Sequence, residues 1–291
     1  MKKKTVIYLL CILPALCFYS FALLIPLFFG TIPYSTYDWN LMSGIKNFTG
    51  LGNYIEILSD TDFFRTLWFT VKVGVITVVL SNLLAFILAY FLSKSEVRCK
   101  SVSRAFFFIP NIISSVLVAF IWYVMFAWVL PSLAQTFNIE WLKSISWFGE
   151  TSHATFTIIV VSVWQSLGFS LLIYIAGFQT IPSELIEAAE MDGCTGLKSI
   201  TKVQVPLLMS TITINLFISI AGAFKAFDIP FALTDGGPFG TTQTIALNIY
   251  QEAFIRYRMG MGSAKSVVLF LLVAIVTIVQ LRITSKKEVE Y

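Results

Sequence analysis

Residues 68–92 carry a single charged side chain, Lys72, in a run dominated by Val, Leu, Phe and Ile. A helix of about 20 apolar residues spans the hydrocarbon core of a bilayer, and this run is long enough. Five others match it, giving predicted spans at 5–30, 68–92, 105–130, 155–178, 207–233 and 266–283. Lipid offers no hydrogen bonds to the backbone, so spans of this kind must satisfy their own N–H and C=O groups as helices. The fold class expected is an all-α polytopic membrane protein, with residues 1–291 forming one transmembrane domain. Composition agrees. The chain is 57% hydrophobic and 12% charged, against about 25% charged for a soluble domain.

The first run follows Lys2, Lys3 and Lys4. Its apolar stretch exceeds the roughly 7–15 residues of a signal-peptide core, so it reads as a retained helix. Lys and Arg collect on the cytoplasmic side of membrane proteins. With the N-terminus inside, the inner segments hold Lys2, Lys3, Lys4, Lys94, Arg98, Lys100, Arg104, Lys198, Lys202, Arg282, Lys286 and Lys287. The outer loops hold only Lys46, Arg65, Lys143, Arg256 and Arg258. Both termini are therefore expected in the cytoplasm. The net charge of +4 is a topology signal, and no extended basic face points to nucleic acid. One histidine, His153, and four scattered cysteines (Cys11, Cys17, Cys99, Cys194) give neither a metal site nor a disulfide framework.

In the outer segment 31–67, Gly50 and Gly52 precede Tyr54, Ile55, Ile57 and Leu58, the pattern of a short amphipathic helix on the membrane surface. Trp141 and Trp147 in the outer loop 131–153 read as interface anchors. The loop 234–265 opens with TDGGPFGTTQT, rich in turn formers.

The longest inner loop, 179–206, begins with SELIEAAEMDG, which holds Glu184, Glu187, Glu190 and Asp192 and no base. At about 100° per residue, Glu184, Glu187 and Glu190 share one helix face, with Leu185, Ile186, Ala188 and Ala189 on the other. Gly193 and Gly196 end the helix, and a second short segment reaches Pro206, which is expected to open the fifth span. A solvated helix offers no pocket to perturb carboxylates for acid–base chemistry, and no nucleophile motif is present, so no catalytic residue is expected. Taken alone, the segment is either a solvated amphipathic helix or a docking helix with its apolar face down and its acids toward a basic partner.

EAAEMDGCTGLKSITKVQVP resembles the EAA loop of the membrane subunits of bacterial ATP-binding-cassette (ABC) importers. Glu187, Ala188, Ala189, Gly193 and Pro206 keep that loop's spacing, Val203 and Val205 stand for Ile and Leu, and Ser210 replaces a second proline. FTGLGNYIEILSDTDFF, FFFIPNIISSVLVAFIWYVMF and FDIPFALTDGGPFGTTQT are similar to the branch that takes up oligosaccharides and glycerol-phosphate compounds, and TDGGP to the maltose-type first subunit. The resemblance implies a type I ABC importer permease fold with a six-helix core in a bacterial cell membrane. It also implies a second, different permease chain, two ATPase subunits that carry ATP and Mg, an extracytoplasmic solute-binding protein and a sugar substrate. Glu184, Glu187, Ala188, Ala189, Asp192, Gly193 and Pro206 then form the ATPase-coupling loop, with Glu187 paired to a base in an ATPase cleft. The chain has no GxxxxGK[ST] loop, so it is expected to bind no cofactor, and the energy must come from another chain.

The resemblance puts sugar contacts at Asn111 and Ser115, at Gln165, Ser166 and Phe169, and at Ser219 and Ala223. Asn111/Ser115, Gln165/Phe169 and Ser219/Ala223 are i,i+4 pairs that share a helix face, and polar groups beside an aromatic ring suit a sugar. The same residue types also glue membrane helices together. Lys225 and Asp228 lie three apart near the outer end of the fifth predicted helix, close enough to pair or to line an upper cavity. A rival reading is a secondary transporter driven by an ion gradient, which needs a midplane ion site and often broken helices. A permease of the same class for glycerol phosphate is the other alternative.

Overall fold

The computed structural model describes residues 12–93 and 100–288. Lys2, Lys3, Lys4, the start of the first expected span at Thr5, Cys11, Lys94, Arg98 and Cys99 lie outside the described residues, as does the side chain of Lys100. The long helices are α1 (Ile12–Tyr34), α3 (Thr61–Ser93), α5 (Ser115–Thr136), α6 (Thr151–Thr180) and α12 (Met259–Ser285). Between them come β1 (Tyr37–Trp39), β2 (Lys46–Phe48), α2 (Gly52–Ser59), α4 (Lys100–Ile112), α7 (Ser183–Met191), α8 (Leu197–Leu207), α9 (Met209–Phe224), α10 (Asp228–Thr234) and α11 (245–255). No residue in the apolar window of α1 is buried, and 6% of that of α12 is. Such bare apolar helices belong in lipid.

The chain divides into two compact units. The first holds the residues up to Phe63 together with Asn248–Leu272. Its antiparallel hairpin pairs Tyr37 with Phe48 and Trp39 with Lys46, and the Lys46 ammonium lies 4.0 Å from the Trp39 ring centroid. Asn53 of α2 is buried and donates to the carbonyls of Ser35 (2.8 Å) and Tyr37 (2.9 Å), which ties α2 to the hairpin. An ionic network organises the rest. Lys265 Nζ contacts Glu252 (3.2 Å), Asp60 (3.3 Å) and Asn248 (3.0 Å), and both Lys265 and Glu252 are 2% exposed. Arg256 and Arg258 complete the shell of Glu252 at 3.0 and 3.2 Å, and Arg258 grips both oxygens of Glu56. Asp60 also caps α3, accepting from the Asp62 and Phe63 amides. Burial pushes the Asp60 pKa up, but the Phe63 amide and the Lys265 charge outweigh it and hold the pKa below its ordinary value.

The second unit spans Phe64–Leu247 and Val273–Tyr291. Phe69 and Val73 of α3, Val118 and Phe126 of α5, and Ile158 and Val161 of α6 form one core cluster. Ala85, Ala89, Leu171 and Tyr174 anchor another further along α3 and α6. Trp147, expected as an interface anchor, packs instead against Phe126 with ring centroids 4.9 Å apart, whereas Trp141 is exposed.

Three expectations are corrected here. The predicted span 105–130 is not one helix: α4 ends at Ile112 and α5 starts at Ser115, with Ser114 extended at ψ 135°. Pro110 inside α4 has no N–H to give and weakens the ladder just before the break. The predicted span 207–233 is also broken, because α9 ends at Phe224 and α10 starts at Asp228. A continuous helix would bring the Pro230 ring against the Ala226 carbonyl. In the structure that carbonyl accepts from Thr244 Oγ1 at 2.8 Å. Finally, Pro206 does not open the membrane helix. It lies inside α8, and a 73° bend at Leu208 separates α8 from α9.

Candidate functional site

A cavity of about 400 Å³ lies inside the second unit, walled by α3, α6 and α9 and by the two helix breaks. Residues 225–227 line this cavity, and the Ile113 and Ala226 carbonyls are hydrogen-bonded to side chains, the condition under which irregular backbone is stable at membrane depth. At the first break, Gln165 Nε2 reaches the Ile113 carbonyl (3.4 Å) and the Ser115 hydroxyl (3.1 Å). At the second, Ala226 is held by Thr244 as above, and the Ile245 amide donates to Thr70 Oγ1 at 2.8 Å.

All nine residues proposed from sequence for the cavity line it: Asn111, Ser115, Gln165, Ser166, Phe169, Ser219, Ala223, Lys225 and Asp228. Ser166 donates to its own helix at Ser162 O. Lys225 and Asp228 are both exposed and make no ion pair with each other or with any other described residue. The spacing that would pair them exists only on a continuous helix, and the break removes it. They are the one base and the one acid among the described residues of the lining.

Sequence reasoning missed the contribution of α3. Thr70, Gly74, Thr77 and Ser81 fall at i, i+4, i+7 and i+11, one stripe of a helix, and all four line the cavity. A polar and small stripe in an apolar span was the available signal. Behind the wall, Asn82 joins three helices. Its Nδ2 donates to Val78 O (2.9 Å) and Ser219 Oγ (3.2 Å), and its Oδ1 accepts from Tyr174 Oη and Asn215 Nδ2, both at 2.9 Å.

Gly168 sets the approach of α4 to α6. A Cβ there would strike the Phe107 carbonyl and lie 2.9 Å from Phe108 Cα, both backbone atoms that cannot swing aside. Gly168→Ala is expected to cost about 1–3 kcal/mol, the usual range for overpacking, and to lower the denaturation temperature of the purified protein. An unchanged melting curve would show that α4 can move outward freely.

The second candidate feature is the connection from α6 to α9. Every residue of α7 is at least partly exposed. Glu184, Glu187, Ala188 and Asp192 are exposed, and Ala189 is half-buried. The apolar side is not covered as expected: Leu185 is exposed, and the neighbouring Met191 (90%) and Leu197 (78%) are nearly bare. Gly193 closes α7 at φ +75°, its amide bonded to Glu190 O and the Cys194 amide to Ala189 O. A Cβ at Gly193 would touch nothing, so only its backbone conformation calls for glycine.

Spanning helices broken around a polar cavity, with an exposed helix carried on the connection from α6 to α9, define a membrane permease. Residues 93–289 match the family model described as the binding-protein-dependent transport system inner membrane component, and the chain belongs to that family. A probable starch degradation products transport system permease protein of Thermoanaerobacterium thermosulfurigenes is 36% identical over 290 residues, covering 99% of this chain and 97% of that one. A multiple sugar-binding transport system permease protein of Streptococcus mutans is 30% identical over 264 residues, covering 91% and 90%. Among solved structures, a chain of a bacterial alginate ABC transporter, in complex with an alginate pentasaccharide-bound periplasmic protein, matches with TM-score 0.76 at 19% identity, covering 96% of this chain and 94% of that one. The fold is thus that of a type I ABC importer permease. The broken helices that a secondary transporter would share are therefore a feature of this permease.

Proposed function

We propose that this chain is one of two unlike permease subunits of an ATP-driven importer that carries a sugar delivered by an extracytoplasmic binding protein. The observation that carries the reading is the cavity. Hydroxyls and amides from five helices (α3, α4, α5, α6 and α9) converge there with Phe169, the mixture that a sugar's hydroxyls and ring faces call for. The named transport systems of the relatives, for starch degradation products and multiple sugars, favour the same class. Both termini lie in the cytoplasm in this reading, which puts the α6–α9 connection on the ATPase side. Two ATPase subunits hold the ATP and Mg, and α7 seats in one of them through Glu187 and the bare apolar side chains around it. Glu184 and Asp192 add negative charge at the rim, while Ala188 and Ala189 allow close approach. Gly193 makes the turn, and Pro206 lies in the returning helix. ATPase closure then pulls α7, and the permease helices move with it.

The test is uptake into proteoliposomes by the complex copurified with its ATPase, using maltotriose, trehalose, raffinose and sn-glycerol 3-phosphate with the cognate binding protein. Sugar uptake that stops without ATP is expected. Uptake that persists without ATP hydrolysis overturns the importer reading, and a preference for glycerol phosphate overturns the sugar. Replacing Lys225 and Asp228 together by Ala is expected to change the half-saturating sugar concentration or the order of preference among sugars, with assembly intact. Unchanged uptake kinetics with poor assembly would make the two charges structural.

A further inference from the structure

We infer that Asn82 is a positioning residue for solute recognition: it fixes Ser219 as a hydrogen-bond donor toward the cavity. The inference rests on the cavity being the solute site. Asn82 is 7% exposed, does not line the cavity, and has all its hydrogen-bonding capacity engaged inside the protein. The amide has one stable orientation because Val78 O can only accept: a flip would bring an oxygen against it, and in the present orientation Tyr174 Oη and Asn215 Nδ2 both donate to Oδ1. The Nδ2 group therefore always faces Ser219, at 3.2 Å. Ser219 Oγ accepts that bond and, among the described residues, donates none. Its proton is left for the cavity that Ser219 lines.

The consequence is chemical. At this point the wall offers a donor and prefers a solute oxygen with a free lone pair, such as a hydroxyl, ring or glycosidic oxygen. Thr70 Oγ1 accepts from the Ile245 amide but spends its own proton on Thr66 O, and neither Thr77 nor Ser81 accepts from a buried amide among the described residues, so the donor presented by Ser219 is a local device.

Asn82→Asp keeps the shape but turns the Ser219-facing group into an acceptor, which recruits the Ser219 proton away from the solute. The experiment is a double-mutant cycle in the copurified transporter, reading the half-saturating concentration for the best-carried solute of the four above. Ser219→Ala and Asn82→Asp are each expected to raise it about fivefold, the worth of one uncharged hydrogen bond. The double variant is expected to be no worse than the poorer single, because both remove the same interaction. Additive losses, or a normal Asn82→Asp beside an impaired Ser219→Ala, overturn the inference. An unimpaired Ser219→Ala instead overturns the cavity as the solute site. If Asn82→Asp does not assemble, the same cycle with Tyr174→Phe, which removes one of the two donors fixing the amide, decides: an increase that is absent after Ser219→Ala supports the inference, and one that persists overturns it.

Discussion

Glu187→Lys is expected to bring solute uptake to background and to strip the ATPase from the purified permease. Glu187 stands exposed on α7, and no described residue covers it. Reversing its charge should leave the permease folded. The cost falls on docking, where a lysine meets the base that Glu187 is proposed to pair with. Like charges forced together in a desolvated interface cost several kcal/mol, and each 1.4 kcal/mol is tenfold in affinity. A loss on the order of 100-fold or more follows. The control is Glu140→Lys, the same reversal at a side chain 77% exposed outside the loop, which should transport normally. Normal uptake by Glu187→Lys would remove α7 as the handle.

The second large effect is expected from Glu252→Gln. Glu252 and Lys265 are each 2% exposed, and Glu252 is the one carboxylate shared by Lys265, Arg256 and Arg258. Neutralising it leaves Lys265 buried with Asp60 as its remaining acid. Removing one member of a buried pair costs about 3–5 kcal/mol, measurable as a fall in thermal stability in detergent. Arg256→Gln, on a side chain 57% exposed, should cost about 1 kcal/mol or less. The double variant Glu252→Leu/Lys265→Met should recover part of the loss, since it leaves no buried charge at either position. Equal losses for Glu252→Gln and Arg256→Gln would mean that burial adds nothing to the network.

Hydropathy located the spanning segments because the bilayer leaves so few options: a long apolar run has to be a helix there. It could not locate the breaks. Pro110 and Pro230 are each visible in the sequence, but proline is tolerated in membrane helices when some other group takes up the freed carbonyl. For Pro230 that group is Thr244, 18 residues from the Ala226 carbonyl it serves, and at the first break Gln165 takes the Ile113 carbonyl from 52 residues away. The same non-locality misled the reading of Lys225 and Asp228, whose spacing implies a pair only if the helix continues. The nine cavity residues were reached through family resemblance, while the α3 stripe, legible from its spacing alone, went unread. Lys265 directly precedes the predicted span 266–283, but its partners Asp60 and Glu252 come from two different segments that no periodicity connects.

Those partners also impose an order on biogenesis. Asp60 precedes Lys265 by 205 residues and Glu252 precedes it by 13, so both acids have been synthesised before the lysine appears. A lysine entering a membrane helix carries a cost of about 2.5–3.5 kcal/mol; here its counter-charges are already waiting when α12 emerges. The reverse holds for the first unit. Asp60 emerges 205 residues ahead of Lys265 and has no Lys265 to bind until α12 is made. The segment built around the hairpin and α2 is thus synthesised well before α12 and secured through Asp60 only once Lys265 has been made.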